Sequence, residues 1–83
     1  MITSYDTLIE SIKRYAPDVA IISIVDITET LLKKLHYTFP FRRVFVDKDY
    51  LSNEAISNSV LITDKAIDGH TCLVCSEKLL RGV

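Results

Sequence analysis

Two short aliphatic runs, residues 19–25 and 44–46, each stand directly between segments with helical patterning. Strand–helix–strand repetition of this kind predicts parallel strands roofed by helices, because parallel neighbours need a crossover and both sheet faces then need cover. The run Val19, Ala20, Ile21, Ile22, Ser23, Ile24, Val25 carries no polar alternation, as expected of a strand covered on both sides. Its β-branched residues favour extended backbone over a buried helix.

Helix signals flank these runs. Ser4 is a candidate cap, Asp6 suits the first turn, and Tyr5, Leu8, Ile9 and Ile12 form one apolar stripe that Pro17 must end. Asp26 with Glu29 has the spacing of a capping box for a second helix, with Ile27, Leu31 and Leu35 inward and Lys33 and Lys34 outward. Phe39-Pro40-Phe41 breaks it, and 42–47 reads as the next strand. A short helix is expected within 51–57, capped by Asp49 or Ser52. A third strand is expected at Val60, Leu61 and Ile62. Cys72, Cys75, Ser76 and Leu79 are at helical spacing, so a last helix over about 68–81, stopped by Gly82, completes αβαβαβα. The predicted fold class is α/β, a small three-stranded parallel sheet with flanking helices, half of a flavodoxin-like fold.

At 83 residues, 48% hydrophobic and 25% charged, the chain is expected to be one globular domain, 1–83. One core of this size supplies only ~3–5 kcal/mol, so a partner or self-association is expected. A net charge of −1 builds in no general attraction to nucleic acid. No apolar run is long enough to span a bilayer, the first twenty residues lack the layout of a signal peptide, and two cysteines are too few for a disulfide scaffold. A cytoplasmic protein is expected.

Residues 13–26, KRYAPDVAIISIVD, resemble the helix-2 to strand-3 passage of response-regulator receiver domains, where Lys-Pro-Asp precedes an apolar run. The resemblance continues with 43–47 as strand 4, 49–58 as helix 4, 60–65 as strand 5 and 68–81 as helix 5. It puts the phosphate-accepting position on Ser23, a hydroxyl with no adjacent base. The family's magnesium-binding acidic pair belongs to a first strand that precedes this segment, so no octahedral site is expected. The resemblance therefore implies a truncated pseudo-receiver: non-enzymatic, without a cofactor, regulating transcription by binding another protein or itself. It also leaves one edge of strand 19–25 open, which invites pairing with a second copy. By analogy with the receiver's dimerisation face, Asp64, Lys65 and Asp68 are the candidate partner-binding residues.

Residues 51–79 also resemble the helix-turn-helix of LuxR-type regulators, through LSNEAISNSVLITDKAIDGH. That resemblance implies the alternative of a mainly α chain that sets Asn53, Thr63, Lys65 and His70 against DNA. Asp68 lies where a basic residue is usual, and Gly69 would fall inside the recognition helix. Nucleic acid is thus the less favoured partner.

A third alternative is a structural zinc module. His70, Cys72 and Cys75 form H-x-C-x-x-C, and His36 could complete a tetrahedral set. The plainer reading makes the thiols small core residues, and no metal is assigned. Arg42 and Arg43 among Phe39, Phe41 and Phe45 read more simply as a strand with aromatics inward and solvated arginines than as a nucleic-acid patch. No catalytic constellation is predicted.

Overall fold

The computed structural model describes all residues 1–83. The elements are α1 (Tyr5–Lys13), β1 (Ala20–Ser23), α2 (Glu29–Thr38), β2 (Val44–Val46), α3 (Tyr50–Asn53), β3 (Ser59–Thr63), β4 (Cys72–Val74) and α4 (Glu77–Arg81). All strands are parallel, in the order β2-β1-β3-β4. This corrects the expected three strands to four. It is also the order of the first four strands in a doubly wound, flavodoxin-like sheet.

β1 is central, as its unbroken apolar sequence requires. Ile21, Ile22 and Ser23 stand opposite Val44, Phe45 and Val46 on one side and Val60, Leu61 and Ile62 on the other. The expectation of an open edge on strand 19–25 is therefore overturned. So is its alignment with receiver strand 3, which would have placed 44–46 between the other two strands. The free edges belong to β2 and β4, and Ile2 covers part of the latter: its amide donates to Val74 O at 2.7 Å and its carbonyl accepts from the Ser76 amide at 2.8 Å.

The two faces are covered unequally. Ile21, Val44, Val60, Ile62 and Leu73 face α1, α2 and α4, forming the main core with Leu8, Ile12, Leu31, Leu35 and Leu80. Ala20, Ile22 and Leu61 face the other way, where Tyr50 of the one-turn α3 is their only fully buried cover. Residues 64–71, which link β3 to β4, contain no helix.

Local signals explain most boundaries. Ser4 Oγ accepts from the Thr7 amide at 3.2 Å, and Ser76 Oγ from the Leu79 amide at 3.2 Å. The cap of α2 is Thr28, accepting from the Leu31 amide at 3.1 Å, and not Asp26. Asp26 instead pairs with Lys48 at 3.2 Å, across the loops that follow β1 and β2. The expected helix over 68–81 is also corrected. Cys72, Leu73 and Val74 extend along β3, and helix begins only after Ser76, because the free edge of β3 offers a hydrogen-bond ladder that a three-residue pattern cannot announce. Gly82, at φ +74°, closes α4 with its amide 2.8 Å from Lys78 O. With β3 and β4 both lying inside 51–79, the helix-turn-helix alternative is overturned.

One polar contact joins the α1–β1 loop to β2. Arg42 lies where the chain enters β2, and its guanidinium donates to Tyr15 O (3.2 Å), Ala16 O (2.9 Å), Val19 O (3.2 Å) and, at the limit, Ile12 O (3.5 Å). It thus gathers carbonyls from the end of α1 and from the loop that follows, at the negative end of that helix. Burial lowers the Arg42 pKa from its ordinary value, with Asp18 acting in the opposite direction. Charge-assisted bonds of this kind contribute about 1.5–3 kcal/mol. Arg42→Leu should therefore lower the unfolding free energy by about 2–3 kcal/mol in urea titrations. Arg42→Lys should recover less than half of that, because one ammonium cannot reproduce the planar fork.

Candidate functional site

In an open parallel sheet, ligands gather beyond the carboxyl ends of the strands, where successive crossovers leave in opposite directions. Here that point lies between β1, which leads to α2 on one face, and β3, which leads to the 64–71 loop on the other. Ser23 and Thr63 end these strands, and each is 1% exposed. Ser23 Oγ donates to Val25 O at 2.6 Å, and Thr63 Oγ1 donates to Lys65 O at 3.0 Å while accepting from the Lys65 amide at 3.3 Å. Both hydroxyls are turned into their own loops. This removes Thr63 from the set expected to meet DNA.

The carboxylates nearby are likewise engaged one at a time. Asp26 pairs with Lys48, and Asp64 approaches Arg81 of α4 at 3.8 Å. Asp47 Oδ1 accepts from the Asp49 amide at 3.1 Å in an Asx turn. No three His, Cys, Asp or Glu side chains come together in a way that could hold a metal ion. Lys65 and Asp68 are exposed and form no ion pair, whereas Lys33 is tied to Glu29 at 3.1 Å. Asp64, Lys65 and Asp68 thus share one helix-free loop, with Arg81 alongside.

The metal alternative is not assembled. Side chains alternate across a strand, so Cys72 and Cys75, an odd number of residues apart, point to opposite faces. Cys72 joins the thinly covered side and Cys75 the main core. His36 lies at the far edge of the sheet, its Nε2 2.6 Å from Val44 O. His70 points to Glu54, with Nε2 3.1 Å from Oε1.

That last pair borders the more polar of two surface cavities, about 360 Å³, at the amino ends of β3 and β4. Tyr50 closes its floor: its hydroxyl bonds Ile56 O and lies 2.8 Å from Ser59 Oγ. Ser57 and Thr71 also line it, yet no hydroxyl bonds His70, so the nucleophile–base contact of covalent catalysis is not formed. Glu54 escaped the sequence reading because nothing local links it to His70. The shallower second cavity, about 470 Å³, lies between α1 and α2 over Tyr5, where Lys34 Nζ stands 5.4 Å from the ring centroid. Asn53 ends α3, away from Lys65 in sequence and without regular helix after it.

The basic–aromatic stretch is also redistributed. Arg42 is turned inward rather than solvated, and Arg43 Nη2 donates to Asp18 O at 2.8 Å. Phe39 packs against the main core, Phe45 against the smaller one, and Phe41 is 99% exposed.

The two thiols differ chemically. Burial pushes the Cys75 thiol up from 9.0 to about 11, opposed by the N-terminal ammonium. Its folded-state value lies above the unfolded one, so the stabilisation is complete below pH 9.0 and is lost as pH rises through about 11. The unfolding free energy of the wild-type chain should therefore fall more steeply over that window than that of Cys75→Ala, measured by denaturant titration at each pH. Iodoacetamide at neutral pH should alkylate Cys72 before Cys75, read by mass spectrometry.

No helix is long and apolar enough to cross a membrane. Comparison with protein families, with curated proteins and with solved structures finds no match to this chain.

Proposed function

We propose that this chain is a non-enzymatic regulatory protein of the pseudo-receiver kind, acting in the cytoplasm in transcription regulation by binding another protein. The observation that carries this reading is the unequal cover of the sheet. A parallel sheet is normally roofed on both faces. Here the β3–β4 crossover brings a loop where a helix would be expected, and Ile24, Phe45, Ile56 and Cys72 remain only partly buried. A partner that completes this roof would remove that apolar surface from water, at roughly 25 cal/mol per Å².

Asp64, Lys65 and Asp68 lie on the loop that borders this surface. The exposure of Lys65 and Asp68 favours docking, since neither need break an internal ion pair to meet opposite charges. The inward hydroxyls of Ser23 and Thr63 support binding over group transfer at the same end of the sheet.

The test compares two charge reversals. Lys65→Glu should weaken association with a protein partner, captured by cross-linking and then measured with purified components, at least about tenfold. Lys33→Glu, on the opposite face and already paired within its helix, should change it less than about twofold. Equal effects at the two positions would remove the reason for choosing the 64–71 loop.

A further inference from the structure

The two outer edges of the sheet are treated differently. Ile2 lies along β4, but nothing lies along β2. On its inner side, β2 engages β1 through Arg43, Phe45 and Asp47: Arg43 O accepts from the Ile21 amide at 2.8 Å, and the Asp47 amide donates to Ser23 O at 2.9 Å. Alternation along a strand then turns the backbone groups of Val44 and Val46 outward. His36, reaching down from α2, meets one of the two acceptor positions on Val44 O. The Val46 amide and carbonyl have no partner in the chain.

The side chains of this edge are self-complementary. Antiparallel pairing of two β2 strands about a two-fold axis at Phe45 places Val44 opposite Val46 of the other copy, so that the outward amides and carbonyls bond each other. Phe45 then faces its own counterpart at the close, non-hydrogen-bonded position, where side chains approach most nearly. Arg43 faces Asp47 of the other copy, twice over. Arg43, Phe45 and Asp47 share one face by alternation, the thinly covered one. Centring the pair on Val44 or on Val46 sets Asp47 against Phe41 or Phe45 instead, so charge selects the Phe45 register. A two-fold pairing also closes on itself, which a repeated head-to-tail addition does not.

We propose that the open edge of β2 pairs with the same edge of a second copy of this chain, in antiparallel register about Phe45. This rests on the protein-binding reading above and names one partner for it. A three-residue edge makes a small interface, in the class that associates weakly and transiently.

The experiment is sedimentation equilibrium of the purified full chain over a concentration series reaching about 1 mM. The wild-type chain should shift from monomer to dimer within it. Val46→Pro removes an amide that faces away from β1, a position where an edge strand tolerates proline, and should stay monomeric with an unchanged circular dichroism spectrum. Arg43→Asp and Asp47→Arg should each weaken the dimer about tenfold or more, and the double exchange should restore it to within about threefold. A monomer throughout, a dimer indifferent to Val46→Pro, or a folded double exchange no tighter than the single variants would each overturn the proposal. Lys65→Glu run alongside separates the two readings. A monomeric wild type whose partner binding still depends on Lys65 loses the β2 edge alone; a proline-sensitive dimer without that dependence loses the 64–71 docking loop alone.

Discussion

β1 is the constraint on which the arrangement turns. Every side chain from Ala20 to Ser23 is at most 1% exposed, and both edges of the strand are hydrogen-bonded to parallel neighbours. A strand in that position must have cover above and below and a partner on each side, so six separate segments are committed once it forms. α1, α2 and α4 supply the upper cover, β2 and β3 the partners, and Tyr50 the cover below. The order of the sheet follows, because α2 and α3 carry the chain to opposite sides of this centre.

Polar contacts then pin the connections that burial alone leaves loose. Arg42 ties the end of α1 and the entry to β1 to the start of β2, which lies 23 to 27 residues further along the chain. Asp26 and Lys48 join the loops after β1 and β2, and Tyr5 clips α1 to α2 through Lys34 O at 2.9 Å. Exposed pairs such as Asp26–Lys48 contribute little each. The guanidinium matters more, since its removal would leave the partly buried carbonyls of Tyr15 and Val19 without donors. On the other face the fastenings are the Tyr50 hydroxyl and the His70–Glu54 pair, and there the surface remains partly apolar. Structure and proposed function meet in that asymmetry: the well-roofed face holds the molecule together, and the thin one is available.

Much of this was legible beforehand. The stripe of Leu8, Ile9 and Ile12, the Ser4 cap, the apolar run in β1 and the triplet Val60, Leu61 and Ile62 are local patterns, and local patterns survive folding when tertiary contacts agree with them. The misread segments lack that property. Cys72, Leu73 and Val74 carry a period compatible with either state, and their fate depended on the vacant edge of β3. Asp26 has the chemistry of a cap but was drawn to Lys48, leaving Thr28 to start α2. Arg42 looked solvated because its carbonyl partners come from residues that no spacing rule connects to it.

The candidate site divides along the same line. That Asp64, Lys65 and Asp68 occupy a polar stretch after a strand, and that Cys75 packs as a small core residue, could be read from residue order. The pairing of Glu54 with His70, the inward turn of Ser23 and Thr63, and the separation of Cys72 from Cys75 across the sheet could not. Residue order alone determined α1, α2 and the first three strands and that parallel strands must be buried, because hydrophobic period and capping act within a few residues. Strand order, the open edge and the unequal roof were decided only by the tertiary structure, because they arise from hydrogen bonds and burial shared between segments that the chain itself keeps apart.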